Sequence, residues 1–152
     1  MAELTNSIMW QRFLLLAIFS IAMAHLEGVV VVYLRKTLGF QEKDSNIDFL
    51  QKFPKKYLLI ERTREAATII MLIVLSILVG NCLFDMIIVF LWTFAFWDLF
   101  YYVSLYVLIK WPKSLKTIDV FFLIPKPWIA PVWVPIGISF LTILCIFLYM
   151  LF

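Results

Sequence analysis

The 152-residue chain is 64% hydrophobic, 18% aromatic and only 15% charged, a composition that excludes an ordinary water-soluble domain. Its net charge of +3 is distributed around long apolar runs, which fits a membrane-facing basic rim and not a nucleic-acid footprint. A helix crosses the hydrocarbon core with about 20 predominantly apolar residues.

Four segments meet that length, at about 13–34, 58–79, 83–109 and 130–152. They predict an all-α fold: one transmembrane domain over residues 1–152, built as a four-helix bundle. In the first segment, Arg12, an apolar run and the triplet Ala22-Met23-Ala24 also resemble a signal peptide. Cleavage there would expose His25 as an N-terminal copper ligand. The apolar run continues through "GVVVVYL", however, so the segment reads as a full span. The second segment bunches its charges at the start. The third is followed by "WPKSLKTIDVFFLIPKPWIAP", where an apolar core lies among prolines that forbid continuous helix. It reads as an interfacial or re-entrant segment over the bundle mouth, able to carry Asp119 inward or to form the lip of a lateral entrance.

Orientation follows from the basic residues. Arg12 alone lies near one side; the other twelve lie in or beside the first-to-second and third-to-fourth connections, including Lys43, Lys52 and Lys126. The positive-inside rule makes those connections cytoplasmic and puts both termini outside. Cys82 and Cys145 imply neither a disulfide framework nor a thiolate site. Gly-rich phosphate loops, nucleophile elbows and zinc-protease motifs are absent from the sequence.

Ionisable residues inside the spans are the functional signal, because a charge at bilayer depth costs several kcal/mol. With a rise of about 1.5 Å per residue, His25 and Glu27 lie roughly 12 to 15 Å from Arg35, and Asp98 about 18 Å from Lys110. Glu61, Glu65, Thr68 and Ser76 form one polar stripe on the second span, expected to face protein. Ser20, Ala24 and Gly28 form a small-residue seam, with His25 and Glu27 on opposite shoulders. Asp98 and Tyr102 share a face of the third span, one turn apart.

Local pairing is the simpler reading: Glu61 with Arg64 and Glu65 with Arg62 are i,i+3 neighbours at a helix start. The joint occurrence of imidazole and acids on three helices suggests more. It predicts a metal site with His25, Glu61, Glu65 and Asp98 as ligands for iron, manganese or zinc. Glu27, Tyr102 and Asp119 are the expected catalytic companions. Such a site would make the protein a membrane metalloenzyme, an oxidoreductase where the metal is redox-active, acting on a lipid-like or quinone-like substrate. The competing readings are a proton or cation conduit, which would need oligomerisation, and an accessory subunit locked into a larger membrane complex.

"WDLFYYV" and the proline-rich segment after it, with "EGVVVVYLR" and "ERTREAATIIML" upstream, resemble small uncharacterised bacterial four-span membrane proteins. The resemblance implies an inner-membrane location and the same layout. It carries no catalytic role.

Overall fold

The computed structural model describes residues 2–37 and 55–151. In chain order these form α1 (Ala2–Thr37), α2 (Lys55–Val79), α3 (Leu83–Ile109), β1 (Ile118–Phe122), β2 (Trp128–Pro131) and α4 (Trp133–Leu151). Lys43 and Lys52 of the first basic connection, and the last residue of the fourth segment, lie outside the described residues.

Among the described residues, three stretches are long and apolar enough to cross a membrane: Ser7–Thr37, Leu83–Ile109 and Trp133–Leu151. Their outward side chains are large and apolar, including Leu14, Leu26, Val107 and Phe140. That pattern suits lipid and not water. Helix α2 falls short of the same standard because Glu61, Arg62, Arg64 and Glu65 occupy its first half. Its polar stripe is nevertheless turned into protein: Glu61, Glu65, Thr68 and Ser76 are each 5–7% exposed, and Leu72 between them is fully buried. The two hydroxyls donate within the helix, Thr68 to the Arg64 carbonyl and Ser76 to that of Ile73, so neither is left unpaired.

Helix α3 is central and packs against α1, α2 and α4, and its remaining face, with Leu91, Val103 and Val107, is apolar and exposed. The small-residue seam makes the α1–α3 contact: Ser20 and Ala24 are fully buried. A Cβ on Gly28 would stand 3.1 Å from Ser104 Cβ, so a methyl there would require Ser104 to give by a few tenths of an ångström.

Apolar packing is layered along the bundle. Phe13, Leu16, Val89, Trp92 and Ile146 fill one end, where Arg12 forms a bidentate pair with Asp85 at 2.7 and 3.0 Å. Ala24, Leu72 and Trp97 meet in the middle. Val31, Tyr102, Leu105, Trp111 and Val132 close the other end.

Beyond that end the chain, helical through most of its described residues as expected for an all-α fold, adds one short extended element. Helix α3 stops at Lys110, whose left-handed φ of 54° lets its N–H reach the Tyr106 carbonyl at 2.9 Å. Prolines 112, 125, 127 and 131 then deny helix, while Val120, Phe121 and Phe122 favour extended chain. The result is an antiparallel hairpin pairing Ile118 with Pro131, Asp119 with Ala130, Val120 with Ile129 and Phe122 with Trp128. Its register shifts between Val120 and Phe122, as at a bulge.

Candidate functional site

Beneath this hairpin, at the end of the bundle that carries the basic connections, lies a cavity of about 90 Å³, room for about three waters at liquid density. Its walls come from α1, α2, α3 and β1. Charged and aromatic side chains reach it from all four.

Arg64 is the hub on α2. Its guanidinium forms an ion pair with Glu27 of α1. It also meets Glu61, one turn earlier, with Nε and Nη2 both 2.9 Å from Oε2. Glu27 also accepts a hydrogen bond from the indole N–H of Trp97 on α3, at 2.6 Å. One carboxylate thus joins three helices, which explains an acid in the middle of "HLEGVVVV". Burial of Glu27 to 8% exposure is tolerable because its lone pairs are taken by a cation and a donor.

The hairpin is held by two further acids. Both oxygens of Glu65 accept backbone N–H groups, from Leu123 at 2.8 Å and Ile124 at 3.2 Å. These amides lie just past β1, where the ladder offers them no partner. Asp119 points inward at 3% exposure, accepting the Tyr102 hydroxyl at 2.8 Å and its neighbouring Val120 N–H at 2.7 Å. Asp98 of α3 turns toward α4 and accepts the Ser139 hydroxyl at 2.7 Å. Aromatic packing completes the wall: Trp97 lies 6.5 Å from Tyr101 and 6.3 Å from Phe122, and Tyr102 stacks on Trp111 at 6.2 Å. The Arg35 guanidinium sits 4.7 Å over Trp111.

Of the residues singled out from the sequence, Glu27, Glu61, Glu65, Asp98, Tyr102 and Asp119 line the cavity. His25 does not. Its side chain is exposed on the outside of α1, with Nδ1 3.3 Å from the Ser104 hydroxyl. Two residues along a helix is a turn of about 200°, so His25 and Glu27 point nearly opposite ways. The expected quartet of His25, Glu61, Glu65 and Asp98 is therefore not brought together. Among the described residues, no group of three or more His, Cys, Asp or Glu side chains is placed to hold a metal ion. Glu65 also leaves the expected pairing with Arg62, because the hairpin amides take both its oxygens. Tyr102 bonds Asp119 and not Asp98, the acid on its own helix face.

Sequence reasoning gave Arg64 a merely local role and left out Trp97 and Ser139 as partners of the acids. For Arg64 a signal existed. Helical phase puts it beside the Glu61–Glu65 stripe, and a cation there answers an acid on a neighbouring span. Comparison with protein-family models, curated proteins and solved structures gives no match, so the site is read from its own residues.

Proposed function

We propose that the protein spans the membrane four times, with both termini outside and the hairpin on the cytoplasmic side, and that its cavity binds the polar end of a lipid-like or quinone-like molecule. Helix α2 counts as a span in this reading because its Glu61, Arg64 and Glu65 pair with α1, with each other and with the hairpin, which removes the need for these three to face lipid. The bacterial inner membrane is the membrane the resemblance implies.

One observation carries the reading: a polar, aromatic-walled cavity lies inside a bundle whose outer surface is apolar. Ligand pockets have this form, concave and largely apolar with a few convergent polar groups. Tyr102 and Asp119 supply a hydrogen-bonded proton donor and acceptor at the wall, which is the equipment for acid–base chemistry on a bound head group. A metal-dependent version would have to free Glu27, Glu65 and Asp98 from the partners they now hold.

The test is photolabelling in detergent micelles with a long-chain alcohol and a long-chain quinone, each bearing a diazirine near its polar end. Saturable labelling of Val31, Leu58 and Phe121, displaced by unlabelled probe, is expected, against linear labelling of outward Leu78 and Tyr149. Linear labelling at every site would refute a binding cavity.

A further inference from the structure

The cavity's chemistry also selects among head groups, an inference that rests on the reading of it as a head-group site. Five carboxylates line it, Glu27, Glu61, Glu65, Asp98 and Asp119, against the guanidiniums of Arg35 and Arg64. Arg64 is already shared between Glu27 and Glu61. The acids are also unequally occupied. Asp98 is only 9% exposed, yet among the described residues only its Oδ2 receives a hydrogen bond. Glu61 is 7% exposed, and its bonds from Arg64 both fall on Oε2. Each therefore has one oxygen that receives no hydrogen bond among the described residues, and neither of these oxygens is fully buried, so each is open to a donor.

The remaining wall is apolar, part aliphatic and part aromatic, with Trp97, Tyr101, Tyr102 and Phe122 among its rings. Ring faces are negative and attract cations, most strongly where water is excluded, and walls of this kind recognise ammonium groups. A phosphate or carboxylate would meet five acids in a low-dielectric space, where like charges repel strongly. We infer that the cavity takes an ammonium head carried on a membrane-soluble tail, with Asp98 and Glu61 as its carboxylate acceptors and Trp97 and Tyr101 as its aromatic wall.

Two sources share that chemistry, a long-chain amine and an ethanolamine phospholipid, whose phosphate would have to lie at Arg35. Native mass spectrometry of the full chain in maltoside micelles separates them, using four probes with the same 16-carbon tail: hexadecylamine, hexadecanol, hexadecyl sulfate and an ethanolamine lysophospholipid. Wild type should bind the amine with a midpoint at least about tenfold lower than the alcohol or the sulfate. Asp98→Asn should raise the amine midpoint about tenfold. Asp85→Asn, at the other end of the bundle, should leave it unchanged. Glu61→Gln provides the same test should Asp98→Asn not purify as a monodisperse species. Equal binding of amine and lysophospholipid would assign the phospholipid as the source, and binding of the amine alone the simple amine. Alcohol or sulfate binding that matches the amine and is weakened by Trp97→Leu would overturn the ammonium inference while leaving the head-group site standing. Binding of no probe that depends on Asp98, Glu61 or Trp97 would overturn both.

Discussion

Arg64→Met removes the one cation that two buried acids share, and its cost can be worked from their surroundings. Glu27 and Glu61 are 8% and 7% exposed, and both bond Arg64. Breaking a buried ion pair from one side costs about 3–5 kcal/mol, most of it the penalty of the charge left behind. The Arg64 side chain keeps 26% exposure, so water screens part of that loss and the lower end, about 3 kcal/mol, is expected. Glu27→Gln is a milder change. Its amide oxygen still accepts the Trp97 N–H, and Arg64 keeps Glu61, so about 1 kcal/mol is expected. A variant combining Arg64→Met with Glu27→Gln and Glu61→Gln should regain most of the loss, since no uncompensated charge remains. Equilibrium unfolding in mixed micelles, followed by circular dichroism, ranks the three. An Arg64→Met protein within about 1 kcal/mol of wild type, or a triple variant less stable than Arg64→Met alone, would refute the shared-cation account.

Glu65→Ala strips acceptors from the Leu123 and Ile124 amides. Amide exchange across residues 118–131 should accelerate about 10- to 100-fold, as expected for losing bonds to a charged group, with α1 and α3 unchanged; uniform acceleration would count against a local latch. Gly28→Ala drives a methyl to 3.1 Å from Ser104 Cβ, at a cost of about 1–3 kcal/mol. Adding Ser104→Gly should recover part of it, and absence of recovery in the same unfolding assay would count against close approach at this point. Arg12→Lys loses the two-pronged contact with Asp85 for about 0.5–1 kcal/mol, measured as a shift in unfolding midpoint. Cys82 is exposed in the turn between α2 and α3, so an impermeant maleimide should label it from outside intact cells; labelling only from the cytoplasmic side would reverse the proposed orientation.

The helices were legible because their causes are local. Apolar length alone delimits α3 and α4, and the three-to-four spacing of Glu61, Glu65, Thr68 and Ser76 foretold the face that α2 buries. The seam of Ser20, Ala24 and Gly28 likewise announced a close helix contact, realised against Ser104. The hairpin was not legible as such. Prolines around "VFFLIP" ruled out helix, but strand pairing depends on whether Phe122 finds Trp128 across the turn, a partnership that no periodicity in a nine-residue window encodes. Its docking is also non-local, since Glu65 supplies the acceptors from 58 and 59 residues away.

For the site, depth was readable and azimuth was only half used. Placing His25, Glu27, Glu61 and Asp98 in the half of their spans nearest the basic connections is sound helix arithmetic, and it brought the acids to one end of the bundle. Depth alone, however, cannot make His25 and Glu27 share a cavity, because two residues of helix turn them about 200° apart. The seam decides which one enters. Gly28 faces α3, Glu27 beside it reaches Arg64 and Trp97, and His25 is left on the outer shoulder with Ser104. Electrostatics points the same way. A carboxylate buried to 8% exposure requires a cation and a strong donor, and both stand on the cavity side, whereas the exposed His25 imidazole meets a single hydroxyl. The polar pair in "HLE" thus serves two surfaces: Glu27 ties the cavity wall together across three helices, and His25 fixes the outside of α1 to α3.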